Sequence, residues 1–141
     1  MSSKRIVLDA NILIRAVLGN RVGSQLEMYQ TTTMFCTSLE ALDEAREHIP
    51  SIPEKRGWAG IPEFLETLEL LPARLKIVPQ EIFEDFMTDA RTRLSGRDED
   101  DTHILALALA FDCPIWTEDL DFFGIGVRTW KSDKVQLILE S

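Results

Sequence analysis

Short apolar runs alternate along this chain with segments of helical period, and that alternation admits few folds. Runs that read as buried strands occur at residues 6–8, 34–37, 75–78, 114–117 and 126–129. Helix-period segments lie at 11–18, 24–31, 38–49, 62–71, 80–94 and 100–111. Strands separated by helices pair in parallel, so the expected class is α/β, a three-layer α/β/α arrangement around a central parallel sheet. The punctuation agrees. Asn11 and Ser38 are expected N-caps, Pro62 suits a first helical turn, and Gly19 and Gly96 fall where helices should stop. The stretch Ile104-Leu-Ala-Leu-Ala-Leu-Ala-Phe111 is apolar all round, as expected of a helix buried between the sheet and another helix.

The 141 residues suit a single domain, 1–141, and 45% hydrophobic content supplies one core without staples. The two cysteines, Cys36 and Cys113, lie in apolar surroundings with no second thiol or histidine at ligand spacing, so they are expected to be buried free thiols. No apolar run approaches the roughly 18 residues of a membrane span, and the N-terminus has no secretory pattern. A cytoplasmic protein with no membrane association is expected. The 24 acidic and 15 basic residues give a net charge of -9, which excludes a general polyanion-binding surface and directs attention to where the acids cluster.

Parallel strands all point one way, so the residues that follow them collect along one sheet edge, where open α/β folds bind ligands. Asp9 follows the first strand. Asp119 follows the fourth in the same relation, and Asp98-Glu-Asp-Asp101 opens the apolar helix. Each alone reads as a cap or a favourable helix-dipole acid. Carboxylates gathered on one edge would repel unless a cation neutralised them, and an oxygen-only donor set suits a hard ion such as Mg²⁺ or Mn²⁺. The helix after the second strand offers further candidates. At about 100° per residue, Leu39, Leu42, Ala45 and Ile49 form its expected buried stripe, with Glu40 and Glu47 towards solvent. Asp43 and Glu44 border that stripe, and periodicity leaves both open.

The succession Val7-Leu-Asp-Ala-Asn-Ile-Leu13, Thr37-Ser-Leu-Glu-Ala-Leu-Asp-Glu44, Asp101-Thr-His-Ile-Leu-Ala-Leu-Ala108 and Ile115-Trp-Thr-Glu-Asp-Leu-Asp-Phe122 resembles the four motifs of PIN domains, in the family's order. The resemblance implies that Asp9, Glu44, Asp101 and Asp119 are catalytic acids holding one or two Mg²⁺ or Mn²⁺ ions, and it favours Glu44 over Asp43. It makes Asn11, Asp98, Thr117 and Asp121 supporting residues. It also implies hydrolysis of RNA phosphodiester bonds by a metal-activated water. Small bacterial relatives similar to VapC-type toxins add two expected partners, an antitoxin protein and a second copy in a homodimer, with Trp130 and Val135-Gln-Leu-Ile-Leu139 as the dimer contact. Residues 49–75 match no motif.

Two other readings fit part of the pattern. A non-catalytic PIN-like module would bind RNA or protein without metal. A haloacid-dehalogenase-like phosphotransferase also places an Asp after its first strand, but normally carries a second acid where this chain has Asn11. His48 and His103 are expected to pack or to pair with a helix end, and Trp58, Trp116 and Trp130 to serve the core or an interface. The run Arg91-Thr-Arg-Leu-Ser-Gly-Arg97 is the best basic approach to the acids.

Overall fold

The computed structural model describes residues 4–52, 60–95 and 99–141. Gly96, Asp98 and Trp58, with most of the turn-like stretch after Pro50, lie outside the described residues. Five parallel strands, β1 (Lys4–Leu8), β2 (Thr33–Ser38), β3 (Lys76–Val78), β4 (Ile115–Trp116) and β5 (Thr129–Trp130), form one sheet in the order β3-β2-β1-β4-β5. The chain steps outward from β1 to β2 and β3, then crosses to β4 and β5 on the other side. The strand order therefore reverses between β1 and β4, and the crevice beyond their carboxyl ends is where such sheets hold ligands.

Helix α1 (Ala10–Leu18) starts one residue earlier than expected, because Asp9 caps it and Asn11 is exposed in its first turn. Helix α2 (Arg21–Tyr29) begins three residues before its apolar period shows. Ser38 caps α3 (Leu39–His48) by accepting the Ala41 N–H at 3.1 Å, as expected, and Pro62 sits in the first turn of α4 (Ile61–Leu70). The expected helix over 80–94 is interrupted. It divides into α5 (Gln80–Phe83), a 3₁₀ turn (Glu84–Phe86) and α6 (Met87–Leu94), although Phe83, Met87, Ala90 and Leu94 keep one buried stripe throughout.

Helix α7 (Glu99–Phe111) fulfils its apolar pattern, since Ile104 to Ala108 are buried without interruption between the sheet and helices α3 and α6. It ends without a glycine. Asp112 takes the left-handed conformation (φ 49°), while Cys113 N–H reaches Ala108 O and Asp112 N–H reaches Leu109 O, the paired bonds of a Schellman close. The fifth strand was expected at 126–129. It forms at Thr129–Trp130 because Gly126, at φ 89°, cannot extend a strand.

A C-terminal helix not visible from the sequence, α8 (Gln136–Leu139), is tied to β1 by Lys4, whose Nζ donates to the carbonyls of Ile138 (3.2 Å) and Leu139 (2.8 Å). Val135 and Leu139 belong to the core, which leaves Leu137 as the exposed large apolar side chain of the segment expected to dimerise. Trp116 is fully buried and Trp130 half-buried. Both cysteines are buried and free. Among the described residues no helix is long and apolar enough to cross a membrane.

Candidate metal centre

The carboxyl ends of β1 and β4 deliver Asp9 and Thr117 side by side. Asp9 is almost wholly buried, with 4% of its surface exposed, and its two oxygens are both used. Oδ1 accepts the Ile12 N–H at 3.0 Å, which makes it the cap of α1, and Oδ2 accepts the Thr117 hydroxyl. The cap and the site acid are thus one residue. Burial lifts the Asp9 carboxyl to about 6, and the neighbouring Asp119 and Glu118 charges add to the rise, against the opposing hydrogen bonds from Thr117 and Ile12. A charge held so unfavourably is one that an adjacent cation would stabilise.

Thr117 links the two strands' acids. Its hydroxyl donates to Asp9 and its Oγ1 accepts the Asp119 N–H at 2.9 Å. Asp119 in turn caps a 3₁₀ turn (Leu120–Phe122) by accepting the Asp121 N–H at 2.9 Å, so one turn presents both acids in the same direction. Asp101, in the opening turns of α7, meets them. Asp101, Asp119 and Asp121 each offer an oxygen, and the three atoms lie within 4.8 Å of one another. Three carboxylate oxygens with no thiol or imidazole suit a hard divalent cation.

The remaining expected acids stand differently. Glu44 is half-buried on α3, its Oε1 3.9 Å from His48 Nε2, and it does not complete the close cluster. Asp43 is exposed and paired to Arg46 at 2.6 Å. The α3 stripe is rotated from its expected position, with Leu39 half-exposed and Ala41 buried in its place. Glu40, expected in solvent, is consequently half-buried: its Oε1 lies 3.8 Å from His103 Nε2, and its buried Oε2 has no hydrogen-bond partner among the described residues. His103 packs edge-on against Phe83 while its Nε2 faces Glu40.

Asp121 is closer to the centre of the arrangement than the sequence suggested, and Glu118 was missed. Glu118 accepts the Ser132 N–H at 2.7 Å; burial raises its carboxyl, but the bonds from Ser132 and the nearby Arg15 and Lys131 charges outweigh it and leave the group below its ordinary value. The expected basic approach is partly committed elsewhere, since Arg93 pairs with Asp89 at 3.0 Å and donates to Ile125 O at 2.9 Å.

The family model described as the PIN domain matches residues 7–140. The chain belongs to the PIN-domain family. Solved structures agree with it in fold across nearly the whole chain. PAE2754 from Pyrobaculum aerophilum superposes with a TM-score of 0.73 at 12% identity, covering 97% of this chain and 90% of that one. VapBC2 from Rickettsia felis gives 0.70 at 18%, covering 90% and 98%. FitAcB from Neisseria gonorrhoeae gives 0.62 at 21%, covering 89% and 96%. These identities establish a shared fold and no more. The curated proteins contain no match. Within a PIN domain, the crevice between β1 and β4 is thus occupied by Asp9, Thr117, Asp119, Asp121 and Asp101.

Proposed function

We propose that this PIN domain is an Mg²⁺- or Mn²⁺-dependent endoribonuclease and the toxin of a toxin–antitoxin pair. One observation carries the reading: the oxygens of Asp101, Asp119 and Asp121 converge at the strand-order reversal, next to the buried Asp9. Asp101, Asp119 and Asp121 would hold the ion, with Asp9 and Glu44 extending the acidic surround. When bound, such an ion neutralises charge on a phosphate and lowers the pKa of a water. The chain's own contribution is placement. Thr117 fixes Asp9 and the Asp119 backbone together, and the Asp119–Asp121 turn keeps two carboxylates aimed alike. VapBC2 from Rickettsia felis, which shares this fold, was solved bound to a DNA fragment from their promoter; with the resemblance of this chain's motifs to VapC-type toxins, that likeness supports an antitoxin partner.

Purified protein should cleave single-stranded RNA with Mn²⁺ and not in EDTA. Asp119→Asn should lower the rate by about two orders of magnitude or more, the loss expected when metal-assisted catalysis is removed. Glu44→Gln should also be damaging, whereas Glu47→Gln, on the exposed face of the same helix, should match wild type. In parallel, Mn²⁺ should raise the melting temperature of wild type but not of Asp119→Asn. Equal cleavage in EDTA would defeat the metal reading. A folded protein with neither thermal shift nor cleavage would instead favour a non-catalytic module.

A further inference from the structure

The sheet is electrically polarised. Its carboxyl edge carries the acids, while the amino ends of its strands carry Lys4 and Arg5 on β1, Lys76 on β3 and Arg128 just before β5. Between β1, the end of α7 and the approach to β5 lies a cleft of about 390 Å³, lined by Lys4, Arg5, Phe111, Asp112 and Arg128 among others. Lys4 is committed to the carbonyls of α8. Arg5 and Arg128 are not so committed: both are exposed, and among the described residues neither forms an ion pair, in a chain with a net charge of -9. The Arg5 guanidinium lies 4.9 Å from the Phe111 ring centre. Stacking of this kind holds the planar donor fork in place, ready for two-point contact with a phosphate.

We propose that this cleft binds a phosphate of the RNA strand at a distance from the acidic centre, through Arg5 and Arg128. The inference rests on the ribonuclease reading and extends it. Arg5 stands four residues before Asp9 along β1, roughly 13 Å at about 3.3 Å per residue, so the anchor is separate from the metal centre. The acidic edge repels RNA at long range; cationic contact elsewhere gives the strand a hold that carboxylates cannot supply. The committed Lys4 and the neighbouring Asp112 keep the cleft from being a general polyanion surface, and leave two guanidinium contacts.

The test is anisotropy of a fluorescein-labelled single-stranded RNA in EDTA, so that cleavage plays no part. Arg5→Gln/Arg128→Gln should weaken binding about tenfold at low salt and reduce the log–log salt slope by about 0.7, the value for one phosphate contact on a single strand. Arg74→Gln/Lys134→Gln removes the same charge elsewhere and should have a much smaller effect. Arg128→Gln alone, which removes no side-chain hydrogen bond found among the described residues, should give part of the loss if the double variant folds poorly. Equal loss in the two double variants, or no binding by wild type, would overturn the proposal. So would displacement by polyglutamate as effective as by unlabelled RNA, which would assign the cleft to an acidic protein. Cleavage with Mn²⁺ is scored separately, so the anchor can fail while the nuclease reading stands.

Discussion

Thr117 is the residue on which the site's geometry turns, although no charge resides on it. Its buried hydroxyl serves Asp9 and the Asp119 amide at once, so replacing it with valine keeps the shape and leaves both partners unsatisfied. Thr117→Val should cost about 1–3 kcal/mol, the usual penalty for orphaned buried groups, and should lower the thermal midpoint by several degrees. It should also weaken the Mn²⁺-induced shift. An unchanged melt would mean that the bridge is not stabilising. The sequence marked Asp9, Asp101 and Asp119 as site candidates because each sits where a strand or helix presents it. It placed Asn11 as the cap of α1 because Asn and Asp are equivalent in cap preference, and only the backbone shows that Asp9 takes that role.

At the scale of elements, long periodic segments were legible and short ones were not. Helix α7 follows from unbroken apolar character. The 3₁₀ turn between α5 and α6 does not, because i and i+4 burial is preserved across it. Strand β5 is misplaced by periodicity for a conformational reason: Gly126 adopts φ 89°, and a Cβ there would come within 2.7 Å of Arg93 Nη1. Gly126→Ala should therefore destabilise by about 1–2 kcal/mol, through strain at positive φ together with the clash. Arg93→Ala in the same chain relieves the clash but not the strain, so the double variant should be less unstable than the sum of the single changes in urea denaturation. Strict additivity would show that the contact is irrelevant.

For the molecule as a whole, the central β1 is flanked by two buried thiols. Burial pushes Cys36 from 9.0 up to about 11, and burial together with the neighbouring Cys36 pushes Cys113 to about 12. The folded state holds these protons more tightly than the unfolded chain, so this contribution to stability is complete below pH 9 and is lost as pH rises towards 11 and 12. The urea midpoint of wild type should fall more steeply above pH 9 than that of Cys36→Ala/Cys113→Ala, with the slopes alike below it. Parallel curves throughout would contradict the buried, protonated state.

Read alone, the sequence determined the α/β class, the parallel sheet and the edge on which the acids fall, because apolar period and strand direction are local properties that one chain already carries. Tertiary structure decided which acids share a space. Asp101, Asp119 and Asp121 meet through the packing of α7 against β4 and the tight turn after it, whereas Glu44 remains on the border of α3. It also rotated the α3 stripe, drew Val135 and Leu139 into the core and left Arg5 and Arg128 facing one cleft. Those outcomes depend on what each face packs against, and contacts between residues far apart in sequence leave no period along the chain.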